Sequence, residues 1–103
     1  MSKYHAIKTV IDGITFSSKA EATRYSVLRM FEKNGDIKYL ELQPKFPVTL
    51  NGKKICTYIA DFTYFDNWTR TTIIEDVKGV KTPVYRLKKK LVEAQYNIVI
   101  TET

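Results

Sequence analysis

Two apolar stretches joined by a short polar turn constrain this chain more than anything else in it: YIADFTYF (58–65) and TTIIEDVKG (71–79), on either side of DNWT (66–69). Both are rich in β-branched and aromatic residues and have the length of strands, so they read as the two arms of a central hairpin. Yet both carry acids. In the second arm, the two-residue period of a strand puts Ile73, Glu75 and Val77 on one face, and Ile74, Asp76 and Lys78 on the other. Neither face is simply polar. An isolated buried carboxylate costs several kcal/mol or must take up a proton, unless a cation stands beside it. The first arm supplies a second carboxylate, Asp61, its one acid before the turn. With the turn at Asp66–Thr69, Asp61 and Asp76 fall at the same end of the hairpin.

The rest of the chain arranges itself around that hairpin. AIKTVIDGITF alternates about Asp12-Gly13, a two-residue turn signal. SSKAEATRYSVLRMFEKNG reads as a helix capped by Ser18, with Glu21 three residues on, Asn34-Gly35 as the left-handed exit, and Tyr25, Leu28 and Phe31 as its buried stripe. IKYLEL then leads through Gln43 to Pro44 and Pro47, which mark a kinked or edge strand. FPVTL, Asn51-Gly52 and the run into YIADFTYF form another hairpin. Thr82-Pro83 opens a second helix, VYRLKKKLVEAQY, with Val84, Leu87 and Leu91 along one side and Asn97 ending it, before a closing strand, IVITE. The expected class is α/β (α+β): a mixed central sheet flanked by helices, in the order β-hairpin–α–β–β–β–α–β. One domain spanning 1–103 accommodates it.

Composition narrows the partner. Seventeen Lys and Arg against eleven Asp and Glu give a formal charge of +6, which favours a polyanion such as nucleic acid. The single cysteine, Cys56, excludes an internal disulfide and a cysteine-built zinc cage; in its apolar run it reads as a buried, inert thiol. No apolar run approaches membrane-spanning length, and the polar start MSKYHAIK is no secretory signal, so a soluble protein of the cytoplasm is expected.

Two carboxylates from adjacent strands, with a lysine two residues on, are the makings of a Mg²⁺ site beside a positive group. Such a metal polarises a phosphoryl oxygen and lowers the pKa of bound water, while the lysine orients or deprotonates that water. The chemistry implied is hydrolysis of a phosphodiester.

Asp61 followed by Asp76-x-Lys78 resembles the core signature of the PD-(D/E)XK nuclease superfamily, and nearly the whole chain follows the order of its restriction-endonuclease-like core. More narrowly, DGITFSSKAEATRY, LELQPKF, YIADFTYF and EDVKGVKTPVYRLKKKL are similar to small phage-encoded endonucleases of the Holliday-junction-resolvase kind. The proline of the superfamily name is replaced by Ala60. The resemblance implies a catalytic set of Glu21, Asp61, Asp76 and Lys78, with Glu21, Asp61 and Asp76 binding Mg²⁺ and Mn²⁺ able to substitute. It also implies a role in phage DNA recombination, replication or packaging inside a bacterial host.

Several residues carry a second reading. Asp61 also fits an exposed strand position, and the Ser18-x-x-Glu21 capping box is by itself reason for a glutamate at 21. Glu75 is expected on the opposite face from the site, solvated or salt-bridged, and Glu41 on the surface. Gln43 is an auxiliary candidate near metal or DNA. On the second helix Lys81, Tyr85, Lys88 and Lys89 are candidate DNA contacts, positioning the duplex through its phosphates, or else a plain solvated face. His5 reads as a surface residue or a general base, and Trp68 as an exposed wedge or a lid over the core. The expected activity is a Mg²⁺-dependent endonuclease. A chain this short has no room for a separate sequence-reading domain, which favours branched or junction DNA, and paired cuts across a junction require a homodimer. Two rivals use the same residues differently: a non-catalytic nucleic-acid-binding module, and an inhibitor or assembly protein that docks through its strands.

Overall fold

Local chemistry sets the ends of most elements in the computed structural model, which describes residues 8–78 and 80–103. His5, Ala6, Ile7 and Gly79, all part of the expectations above, lie outside the described residues. β1 (Thr9–Ile11) and β2 (Ile14–Phe16) pair antiparallel through Asp12-Gly13, both at positive φ (53° and 75°), the turn whose twist suits a tight hairpin. α1 (Lys19–Lys33) begins where Ser18 Oγ accepts the Glu21 backbone N–H at 3.1 Å. It ends with Asn34 still right-handed, and Gly35 alone takes the left-handed conformation at φ 82°. Its inner face buries Glu21, Ala22, Tyr25 and Leu28. The expected stripe stops there, because Phe31 has turned out to the surface.

Five strands follow where three were expected: β3 (Ile37–Leu42), β4 (Lys45–Leu50), β5 (Lys53–Ile59), β6 (Phe62–Asp66) and β7 (Thr71–Asp76). The reason is a bend shared by two paired segments. Gln43 adopts a left-handed φ of 55°, and Pro44 has no N–H to give a ladder. Across from them the second segment breaks at Ala60–Asp61. Two hydrogen bonds carry the pairing through the corner, Gln43 N–H to the Asp61 carbonyl at 2.9 Å and Ala60 N–H to the Pro44 carbonyl at 3.1 Å. β4 and β5 therefore leave the main sheet as a separate two-stranded ribbon, closed by Asn51-Gly52, again both at positive φ.

The main sheet has the order β3-β6-β7-β8, where β8 (Ile100–Glu102) lies parallel to β7 and the other pairs are antiparallel. α2 (Pro83–Tyr96) makes the crossover from β7 to β8, capped by Thr82 with Pro83 in its first turn and closed by Asn97 at φ 54°. The result is an α+β fold with a mixed sheet and two helices. Alternation divides the core in two. On the α1 side, Phe62, Tyr64 and Ile73 pack with Phe16, Tyr25 and Leu28. On the other, Ile74 and Ile100 pack with Tyr58, Tyr85 and Val92.

α2 meets the sheet by a face other than the expected one. Val84, Leu87 and Leu91 point outward, 63%, 59% and 37% exposed, while Tyr85 and Val92, one position on and seven apart, are buried. The helix carries two apolar stripes, and the one holding a large aromatic ring fills the space between Tyr58 and Ile100. The folded-out ribbon braces the same helix, as Gln95 and Tyr96 both donate to the Pro47 carbonyl, at 3.2 and 2.7 Å. Among the described residues no helix is long and apolar enough to cross a membrane.

Candidate active site

The corner of the ribbon and the end of β7 meet at one place. Phe62 pairs with Glu75, and the Asp61 N–H donates to the Glu75 carbonyl at 3.0 Å, so the ladder brings Asp61 alongside Asp76. Asp61 Oδ2 accepts the Val77 N–H at 2.7 Å, which pins its carboxylate across the end of β7. Burial pushes the Asp61 carboxyl up to about 7; the neighbouring Asp76 and the charge of Glu21 push the same way, against the Val77 N–H. An exposed Asp61, the alternative from sequence, does not fit this setting.

Asp76 is fully buried. The Tyr58 hydroxyl donates to its Oδ2 in a short hydrogen bond. Its Oδ1 has no hydrogen-bond partner and, among the described residues, is the one buried side-chain polar atom so placed. The nearest positive group is the Lys78 ammonium, 3.5 Å from Oδ1 and 4.8 Å from the centroid of the Tyr85 ring. A fully buried carboxylate and a partly buried one thus stand together, with one oxygen that has an ammonium nearby but no hydrogen bond, an arrangement that a shared proton or a bound cation completes.

Glu75 faces the opposite way, as the alternation required, and it is salt-bridged rather than solvated. Arg24 grips both of its oxygens, Nε to Oε1 at 2.8 Å and Nη2 to Oε2 at 2.7 Å, and the Tyr64 hydroxyl donates to Oε2. The Glu75 carboxylate raises the Arg24 guanidinium above its ordinary pKa, against the opposing effect of burial. This pair ties α1 to the sheet and stands apart from the Asp61–Asp76 pair.

Glu21 is buried on α1, and its two readings are resolved atom by atom. Its backbone N–H makes the cap to Ser18, while its carboxylate accepts the Ser17 hydroxyl at 2.8 Å. Its charge reaches Asp61. The three-carboxylate cluster expected from sequence is not assembled, since among the described residues no three His, Cys, Asp or Glu side chains converge closely enough to hold a metal ion. The Glu21 carboxylate is instead bonded to the Ser17 hydroxyl at the start of α1.

The expected DNA-contacting set separates as well. Tyr85 is not a surface contact: it is buried, and its hydroxyl donates to Glu102 Oε2 at 2.8 Å. Lys81 and Lys89 are drawn to the same Glu102, with ammonium groups 3.3 and 3.9 Å from Oε1, and Lys89 also lies 3.7 Å from Glu93. The Tyr85 hydrogen bond leads in holding the Glu102 carboxyl below its ordinary pKa, with the two lysines adding to it. Lys88 is half-buried and forms no ion pair among the described residues. Arg86 and Lys90, passed over in the sequence reading, line a groove of about 430 Å³ with Lys81, Lys89, Glu93 and Glu102. Their four-residue spacing on a helix was the available signal.

Gln43 forms the corner itself, exposed, with its backbone N–H bonded to the Asp61 carbonyl. Glu41 is exposed. Trp68 lies at the far tip of the β6–β7 hairpin, exposed, with its indole N–H on Asp36 Oδ1 at 2.8 Å. Cys56 is half-buried at the edge of the second core, less enclosed than expected. Tyr58, which holds Asp76, and Arg24 and Tyr64, which hold Glu75 on the opposite face, are residues that the sequence reading missed. Each acts across more than ten positions, and no local pattern marks such a partnership.

No curated protein and no solved structure was found to match the chain. The family described as "Protein of unknown function (DUF1064)" matches residues 1–102, and the chain belongs to that family.

Proposed function

We propose that the protein is a Mg²⁺-dependent endodeoxyribonuclease with a restriction-endonuclease-like core, acting on branched or junction DNA as a homodimer in a bacterial host. The observation that carries the proposal is the unsatisfied, fully buried Oδ1 of Asp76 beside the partly buried Asp61. A protein that only binds nucleic acid gains nothing from a buried carboxylate and a partly buried one near phosphate, whereas a hard divalent cation requires oxygen donors of this kind. Asp61 and Asp76 fit as its protein ligands, with Glu21 adding charge from α1 and Mn²⁺ able to replace Mg²⁺. When bound, the metal supplies Lewis-acid polarisation of the phosphoryl oxygen and a more acidic water. Lys78, whose ammonium is close to Asp76 Oδ1, donates hydrogen bonds that orient the attacking water and offsets the negative charge that develops on the phosphate. The cations along α2, Lys81, Lys88 and Lys89 together with Arg86 and Lys90, hold the duplex by its phosphates and select no sequence. Gln43, exposed at the corner, serves as an auxiliary contact to the substrate strand.

The test is a cleavage panel of linear duplex, single strand, flap and four-way junction, with Mg²⁺ or Mn²⁺ and with EDTA. Metal-dependent cutting that favours the junction is expected, lost at least a hundredfold in Asp76→Asn and Lys78→Ala. Variants that cut as fast as wild type on every substrate would sink the assignment.

A further inference from the structure

We infer that Tyr58 and Tyr85 are the positioning residues of the Asp76–Lys78 pair, one holding the carboxylate and the other the ammonium. The inference rests on the nuclease reading above and extends it to two residues outside the metal-binding motif. Tyr58 lies on β5, in the ribbon that leaves the main sheet. The bend at Gln43–Pro44 and Ala60–Asp61 turns that ribbon toward α2, and the Tyr58 hydroxyl reaches Asp76 Oδ2. With Oδ2 occupied, Oδ1 is the atom left for a cation, and the carboxylate has lost the freedom to rotate and offer the other oxygen. Outer-shell hydrogen bonds orient metal ligands in this way. One corner of the backbone therefore does two things: it delivers Asp61, and it fixes which oxygen of Asp76 is free.

Tyr85 comes from α2. Its ring face lies 4.8 Å from Lys78 Nζ, within the range of a cation–π contact. The ring is itself held, by its hydroxyl on Glu102 Oε2 at 2.8 Å and by the Tyr58 ring, 6.3 Å away between centroids. Glu102 is in turn the β8 residue paired with Asp76 across the parallel ladder. The two tyrosines thus connect three elements, β5, α2 and β8, to one carboxylate and one amine. This accounts for the register of α2, in which Tyr85 faces inward while Val84, Leu87 and Leu91 do not.

The experiment pairs Mn²⁺ titration calorimetry without DNA with steady-state cleavage, for wild type, Tyr58→Phe, Tyr85→Phe and Tyr85→Leu. Tyr58→Phe keeps the ring and removes the hydroxyl, and is expected to weaken Mn²⁺ binding about 10- to 100-fold. Tyr85→Leu is expected to lower kcat by about 10-fold or more with KM little changed, because the duplex contacts are untouched. Tyr85→Phe restores the ring under the ammonium and recovers most of that loss, which a purely structural hydroxyl would not allow. A wild type that cleaves and binds Mn²⁺, with Tyr58→Phe binding it equally well and Tyr85→Leu equally fast, overturns the inference alone. A wild type that neither binds Mn²⁺ nor cleaves removes both the inference and the nuclease reading.

Discussion

Replacing Asp61 with asparagine should make the metal-free protein more stable at neutral pH, although it removes a residue central to the site. The Asp61 carboxyl rises from the ordinary 3.8 to about 7 on folding. The folded chain therefore binds this proton more tightly than the unfolded chain does. Stability is then highest below about pH 4 as far as this group is concerned, and falls as pH rises from there through about 7. One pK unit corresponds to about 1.36 kcal/mol, so the ceiling on the loss is about 4 kcal/mol. Asp61 is only partly buried, and solvent screening reduces the expected effect to about 2 kcal/mol. In a domain of this size that is a shift of roughly 10 °C in Tm. Urea unfolding in EDTA, at half-unit steps from pH 4 to 8, measures it as the difference between wild type and Asp61→Asn, so that other titrating groups cancel. The variant should gain stability relative to wild type across this window, and Mn²⁺ should recover the loss at pH 8 in wild type alone. Parallel pH profiles for the two proteins would refute the reasoning, because they would mean that Asp61 ionises on the folded protein as it does in water.

Three other outcomes follow from the same geometry. Arg24→Leu leaves Glu75 buried with only the Tyr64 hydroxyl, and should cost about 3 kcal/mol in urea unfolding, with much of it regained in the Arg24→Leu/Glu75→Leu double variant. Glu102→Gln releases Lys81 and Lys89 from their internal acid. Fluorescence anisotropy should then report several-fold tighter binding to a short duplex and a steeper fall with salt. Leu87→Ser should change stability by less than about 0.5 kcal/mol, whereas Val92→Ala should cost about 2 kcal/mol, since only the second touches the core.

Much of the molecule was legible from short-range chemistry. The ends of both helices were written in Ser18, Gly35, Thr82-Pro83 and Asn97, and two hairpin turns in Asp12-Gly13 and Asn51-Gly52, because caps and tight turns are settled among residues a few positions apart. The two-sided division of IIEDVKG was equally local. A strand's period placed Asp76 and Lys78 together and Glu75 opposite them, and the hairpin register then required Asp61 to lie beside Asp76. What escaped was every question decided by a distant partner. That Glu75 is sealed in depends on Arg24, 51 residues away. That α2 buries Tyr85 and Val92 depends on the space left by Tyr58, Ile74 and Ile100, since two apolar stripes were on offer and periodicity ranks neither.

The sequence by itself determined the caps, the turns and the alternation, because each follows from the covalent geometry of neighbouring residues, and the pairing of one acid with another, because a short turn fixes the register of its hairpin. Only the tertiary structure decided the rest: the ribbon bending away at Gln43–Pro44, the Tyr58 hydroxyl arriving at Asp76, Ser17 holding Glu21, and Glu102 gathering the lysines of α2. Those are contacts between segments that approach one another only after the chain has buried its apolar surface. Their energies belong to the packed assembly and to no stretch of sequence read alone.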